Sequence, residues 1–271
     1  DPPLMLYALG QTQALQHFQH ERAVAMVGSR NPTPQGLINA REFAKSMTAQ
    51  GLVVVSGMAL GVDGAAHEGA LQGAEPGALA TIALVGTGLD RVYPKQHREL
   101  AHRIAQQGLI LSEYALGTPP LAHHFPQRNR IVAGLVRVMV VVETDVDGGS
   151  MITARFAGDL GKTLCAVPGR ADSPSSRGCH ALIRDGATLV SSVDDILTEL
   201  GESRGSPALA LIEDPPEFAR WLPHFAGGTA HDAESLSVLA DCAVAEAAVS
   251  LTMMEIRGVL TRRPDGRHER A

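Results

Sequence analysis

The sequence predicts an α/β protein built on a doubly wound, mostly parallel sheet. Short apolar runs alternate with helical segments from residue 23 to residue 200, the runs are continuously apolar, and the first three end at a glycine. Continuous apolar strands belong to a sheet covered by helices on both faces. Parallel neighbours then require right-handed helical crossovers.

After a lead-in segment over residues 1–22, Ala23 to Val27 is the first such run, ending in Gly28-Ser29-Arg30. Helical periodicity follows over 34–50, closed by Gly51. Leu52 to Gly57 is a second strand, followed by a helix over 62–72. Further strands are expected at 81–86, 109–112, 137–143, 163–167 and 188–190, and further helices at 96–107, 129–135, 150–160, 178–185 and 194–200. Residues 201–216 are rich in Gly, Pro and Ser without a clear period and read as a linker. Residues 217–271 form a smaller unit with short helices at 236–240, 243–249 and 252–260, then a charged turn from Arg262 to Arg267. Helices followed by a basic hairpin suggest a winged helix-turn-helix.

Composition bounds the function. The chain has 271 residues, 45% hydrophobic and 19% charged, with a net charge of −6. Its mean hydropathy is near zero. A net negative chain meets a phosphate backbone only through a local patch of cations and backbone donors. Cys165, Cys179 and Cys242 are too few and too scattered for a disulfide framework or a zinc site, and fit a reducing cytoplasm. No uncharged apolar run approaches the ~18 residues of a membrane span; the segment from Ile131 to Val142 is broken by Arg137.

In open sheets of this kind, ligands bind beyond the carboxyl ends of the strands. Gly28-Ser29-Arg30, Ser56-Gly57, Gly86 and Gly148-Gly149-Ser150 all fall there. In the first, glycine permits close backbone approach to an anion, serine adds a hydroxyl and arginine a forked cation suited to phosphate. A helix start beside the turn adds N–H donors; the alternative is a tight turn with a surface arginine. Asp63 and His67 lie one turn apart on a helix and read as a structural pair rather than a catalytic dyad. The stretch 122–137 carries Arg128, Arg130 and Arg137 and no acidic residue. One of Arg128 and Arg130 is expected to face a ligand and the other to pin the loop through a carboxylate such as Glu113 or Glu143. Phe125 offers a ring for a base. Gly149, Ser150 and Thr153 form a second anion nest at a helix start, with an N-cap as the plainer role for Ser150. Lys162 is either another cation at the crevice or a solvated helix end. Neither a nucleophile elbow nor a P-loop is present, and no G-x-G-x-x-G follows the first strand. The adjacent His123 and His124 lack a further ligand set. No catalytic residue, metal or cofactor is therefore assigned.

Seven segments, in order, carry a resemblance: Ala25 to Arg30, Val54 to Asp63 with Ala66-His67, Gly86 to Pro94, Leu111 to Tyr114, His124 to Ile131, Gly149 to Ala154, and Ser176 to Gly178. Together they resemble the DNA-processing protein A (DprA/Smf) family. The resemblance implies an extended Rossmann-like domain that binds single-stranded DNA and forms a homodimer. It also implies a cytoplasmic, non-enzymatic protein that protects incoming DNA and loads RecA recombinase in natural transformation. On it, Gly28, Ser29 and Arg30 match the phosphate-binding pocket, and Phe125, Arg128, Arg130 and Lys162 match or adjoin DNA-contacting positions. Many members end in a small winged-helix-like domain, which residues 230–271 resemble loosely. Leu60 departs from the family, standing where a basic residue is common. The rival is a Rossmann-like phosphoribohydrolase that holds a nucleotide at similar glycine turns, but the stretch from Asp147 to Ala154 lacks the glutamate of that chemistry.

Overall fold

A computed structural model describes residues 2–201, 218–256, 259–263 and 265–270. The chain divides into two compact units, Asp1–Arg204 and Gly205–Ala271. The linker expected at 201–216 lies outside the described residues from 202 onward.

The first unit is an eight-stranded sheet in the order β1-β5-β4-β3-β2-β6-β7-β8. Its strands are β1 (Tyr7–Gly10), β2 (Ala23–Val27), β3 (Val53–Ser56), β4 (Thr81–Val85), β5 (Leu109–Ser112), β6 (Val138–Val141), β7 (Thr163–Ala166) and β8 (Thr188–Leu189). Its helices are α1 (Pro34–Thr48), α2 (Val62–Gly73), α3 (Arg98–Gln107), α4 (His124–Gly134), α5 (Gly149–Asp159), α6 (Arg177–Arg184) and α7 (Val193–Glu199). Strands β2 to β8 pair in parallel, so the expected doubly wound sheet is present. Every residue of β2, β4, β5 and β6 is buried. Alternate residues feed two apolar layers: Ala23, Ala25 and Val27 point to one and Val24 and Met26 to the other. Covered faces on both sides explain why the strands read as unbroken apolar runs.

Two elements differ from expectation. The lead-in contributes β1, antiparallel to β5 with Tyr7 opposite Ser112. It is a half-exposed edge strand of four residues, too short for its pattern to register. Helix α4 begins at His124 rather than 129. Pro126 lies in its first turn, where backbone N–H groups have no intrahelical partner to lose. Phe125 and Arg128 are therefore helical, three residues apart on one face.

In the second unit, α8 (Ala233–Leu239) and α9 (Val244–Ile256) precede a hairpin of β9 (Leu260–Arg262) and β10 (His268–Arg270). This is a winged-helix-like arrangement with its own core, including Trp221, Phe225, Leu236, Leu251 and Met254. Helix α9 replaces two expected short helices. Thr252 is accommodated because its hydroxyl donates to the Ala248 carbonyl at 2.9 Å. Between Asp232 and Ile256 there are five acidic residues and no Lys or Arg, which leaves α9 without the cations a DNA-reading helix uses. Among the described residues, no single helix is long and apolar enough to cross a membrane.

Candidate functional site

Strand order reverses between β2 and β6: the chain leaves β2 for β3 on one side and returns to β6 on the other. The crevice beyond the carboxyl ends at such a switch point is where open α/β sheets bind ligands. The turn after β2 and the loop from β6 to α5 both open there. A cleft of about 80 Å³ is lined by Gly28, Arg30, Phe125, Arg128, Gly149 and Thr153, among others. A second lobe of about 100 Å³ shares Arg30, Gly57, Phe125 and Arg128 and extends to Leu60 and Tyr93.

The turn after β2 is shaped by close approach. A Cβ on Gly28 would lie 2.7 Å from the Val62 side chain and 2.9 Å from the Glu143 carbonyl oxygen. The Ser29 N–H donates to that same carbonyl at 2.7 Å, and the Ser29 hydroxyl accepts from the Asn31 N–H at 3.1 Å. The α1 start does not supply the donors expected of it. The Glu143 carboxylate already occupies it, accepting from the Thr33 N–H at 2.8 Å and the Thr33 hydroxyl at 2.5 Å. Arg30 remains exposed. Among the described residues, no hydrogen bond or ion pair engages its guanidinium.

Arg128 corrects the expectation for its own role. It is only 4% exposed, and its guanidinium donates to the carbonyls of Leu84 and Gly57 and to Asn129 Oδ1. Gly57 permits this: a Cβ there would stand 2.6–2.8 Å from the guanidinium atoms. The Gly57 N–H donates in turn to the Asp63 carboxylate at 3.1 Å, as does the Ala59 N–H at 3.2 Å. Burial pushes the Arg128 guanidinium down to about 10, partly offset by Asp63 and reinforced by the like charge of Arg30. Burial also raises the Asp63 carboxyl, against the opposing pull of Arg128. Arg128 thus stays charged near neutral pH and presents a buried positive charge behind the cleft rather than a free hand.

Arg130 is engaged too, with both terminal nitrogens on Glu113 at 2.9 and 2.7 Å. Both arginines are therefore anchored, where one was expected to face a ligand. The Glu113 carboxyl is held below its usual range, chiefly by the Arg130 hydrogen bonds. Its lowered value stabilises the fold above the ordinary carboxylate pKa, and that contribution disappears as pH falls through the lowered value. Glu113→Gln is expected to cost no more than about 1 kcal/mol, as partly solvated pairs do; urea unfolding at pH 7 measures it.

Ser56 is another correction. It is fully buried, and its hydroxyl donates to the Met26 carbonyl at 2.6 Å, tying β3 to β2. Gly57 is also closed off, both of its backbone groups being bonded. At the α5 start, Gly149 is exposed and no side chain caps the helix. The Ser150 hydroxyl donates to Thr144 Oγ1 at 2.7 Å, so it is not the N-cap; Thr153 lines the cleft from within α5. Lys162 stands at the wrong end of the sheet. It precedes β7, beside the amino ends of the strands, and its Nζ lies 3.4 Å from the Gly134 carbonyl. The solvated helix end is the reading that holds.

The Asp63–His67 pair does not form. His67 Nδ1 lies 2.7 Å from Thr81 Oγ1, and the Thr81 hydroxyl donates to the Val54 carbonyl. The imidazole must therefore donate from Nδ1, leaving Nε2 buried without a partner. Burial lowers His67 to about 3. On acidification the unfolded chain takes up a proton at this side chain that the folded chain refuses. Stability should therefore fall by about 1.4 kcal/mol per pH unit between the ordinary histidine value and about 3. Thermal melts of His67→Asn at pH 7 and pH 4.5 should show a smaller acid loss than wild type. Among the described residues, no group of three His, Cys, Asp or Glu side chains could hold a metal. Tyr93, which the motif reading passed over as a site residue, stands beside Phe125 with ring centroids 5.2 Å apart.

The family model described as DNA recombination-mediator protein A matches residues 1–201. The chain belongs to this family. It is 42% identical over 199 residues to a putative DNA processing protein DprA from Mycobacterium tuberculosis, covering 73% of this chain and 50% of that one. It is 42% identical to the DNA processing protein DprA of Streptococcus pneumoniae, over 73% of this chain and 67% of the relative. The X-ray structure of the pneumococcal DprA matches with a TM-score of 0.67 at 43% identity, over 73% of this chain and 66% of that one. A structure of DprA from Helicobacter pylori, described for its single-stranded DNA binding mode, matches with a TM-score of 0.67 at 36% identity, over 74% of this chain and 89% of that one. The chain spans about half the length of the first curated DprA and Smf relatives that it matches.

Proposed function

We propose that this chain binds single-stranded DNA through the crevice at the β2–β6 switch point, without sequence preference and without catalysing a reaction. The observation that carries the reading is the unpaired Arg30 guanidinium. It is exposed at the mouth of a cleft whose inner wall holds a second, buried cation, Arg128. Two like charges beside a glycine turn and an uncapped helix start create a site that an anion relieves. Arg30, the Gly28-Ser29 turn, Gly149, Ser150 and Thr153 would hold a backbone phosphate. Phe125 would offer an apolar ring beside it, and Arg128 would support the site from behind. Phosphate contacts position a strand without reading it. The H. pylori relative, described for binding single-stranded DNA, supports the substrate class.

Membership of the family supports the finer reading of a cytoplasmic homodimer that protects incoming DNA and loads RecA recombinase during natural transformation. The phosphoribohydrolase reading is disfavoured by the cleft itself. Its two lobes, about 80 and about 100 Å³, fall short of the roughly 300–1,000 Å³ that encloses a small-molecule substrate.

The test is fluorescence anisotropy with a labelled single strand and its duplex at two salt concentrations. Preference for the single strand, with an affinity that falls steeply with salt, is expected. Equal binding to both forms, or none at low salt, would overturn the proposal.

A further inference from the structure

We infer that the helix-turn-helix of the second unit, α8 and α9, is a docking face for a cationic amphipathic helix of another protein. In DNA readers the second helix of such a pair is the one that enters the groove. Here its inner side is committed to the core of the unit through Ala247, Leu251 and Met254. Its outer side carries Ala245, Val249 and Met253, spaced four residues apart and all exposed, so they form one apolar stripe about 12 Å long. Val249 is 64% exposed, and Val238 near the end of α8 is 81% exposed. The turn between the helices is fixed: the Cys242 N–H donates to the Ser237 carbonyl at 3.0 Å, and the Arg220 guanidinium donates to the Ala240 carbonyl at 2.7 Å. The exposed apolar groups are thus presented on a frame that other residues hold.

Charge selects the partner. Residues 232–256 carry Asp232, Glu234, Asp241, Glu246 and Glu255 and no Lys or Arg. Such a segment repels a phosphate backbone and an anionic lipid surface, and it draws in a cationic partner. Glu234, Asp241 and Glu246 are exposed. Glu246 follows Ala245 along α9 and so flanks the stripe. Its carboxylate meets Arg220 at 3.2 Å, with both side chains half-exposed. A pair so solvated contributes little, so a cation of the partner can take the place of Arg220. A straight apolar stripe of about two turns matches a helix laid along it, with anchors at i, i+4 and i+7. The partner is therefore a helix with apolar residues on one side and Lys or Arg at their flanks. Single-strand binding at the β2–β6 crevice plays no part in this assignment.

The experiment uses the full chain and a labelled peptide of leucine and lysine, about four helical turns long, with its leucines on one face. A second peptide has the same composition with the leucines spread around the helix, and a third carries glutamate for lysine. By anisotropy the first should bind at least about tenfold tighter than either of the others. Val249→Asp and Met253→Asp, tested separately, should each lose about tenfold in affinity for it, with thermal melts that match wild type. Both substitutions add negative charge, so the loss reports apolar contact and not electrostatics. Failure of wild type to bind the first peptide, equal binding of the second, or unchanged affinity in both variants would overturn the docking face. Sedimentation of wild type and Val249→Asp, alone and with phosphatidylglycerol vesicles, tests the other occupants. A lower mass for the variant would give the face to a second copy, and vesicle binding lost in the variant would give it to lipid; either would overturn the cationic helix. Equal masses and no vesicle binding would support it.

Discussion

Arg30→Ala should abolish most single-strand binding and leave the fold intact. The guanidinium is exposed, and among the described residues no hydrogen bond or ion pair engages it, so its removal breaks neither in the folded state. Bound to a phosphate, the same group would form charge-assisted hydrogen bonds at the mouth of a partly desolvated cleft. Such bonds contribute about 1.5–3 kcal/mol each. The expected result is a rise in Kd of roughly ten- to a hundredfold, with the salt dependence of binding shallower by about 0.7 in log–log slope, one phosphate contact fewer. Stability should rise slightly if it moves at all, because Arg30 disfavours the charge on Arg128 in the free protein. Anisotropy titrations across salt, with a thermal melt of the same samples, check both halves. Normal binding by a folded variant would refute the assignment of the cleft.

Arg128→Met should do the reverse, damaging the fold first. Its guanidinium satisfies the carbonyls of Gly57 and Leu84, both buried, and faces the buried Asp63 carboxylate. Removing one member of a buried, hydrogen-bonded charge set leaves the others uncompensated, at a cost of about 3–5 kcal/mol. In a unit of this size that corresponds to a fall in Tm of roughly 6–20 °C. Arg128→Lys should recover part of the loss. Lysine restores the charge, but its single ammonium cannot reproduce the planar fork that reaches carbonyls from two strand ends. Acid should soften the Met variant's defect, because an Asp63 carboxyl without its cation relieves its burial by taking up a proton. Denaturant unfolding at pH 7 and pH 5 measures this. Arg30 and Arg128, both read from sequence as cations for the same ligand, thus separate by experiment into a binding residue and a structural one.

That separation marks what the sequence by itself determined. Unbroken apolar runs such as Ala23 to Val27 and Val138 to Val141 are direct records of burial on both faces, and their alternation with helices dictates the parallel sheet. Glycine turns at the strand ends located the crevice, because ligand position in this architecture follows from topology. The seven ordered segments located the family. Only the tertiary structure decided what each polar side chain does. Ser56 and Arg128 carry the residue types of a ligand site, yet their groups are engaged by the carbonyls of Met26, Gly57 and Leu84, contributed by strands and loops distant in sequence. Lys162 falls at the opposite end of the sheet from Gly149, although only half a helix-strand unit separates them in the chain. Glu143 fills the α1 start that seemed open to an anion, and Tyr93 meets Phe125 only because the fold brings the loop after β4 against the first turn of α4. The physical reason is common to all of these. Burial periodicity and turn chemistry are local and are written along the chain, whereas the partner of a charge or hydroxyl is whatever the fold places within 3 Å of it.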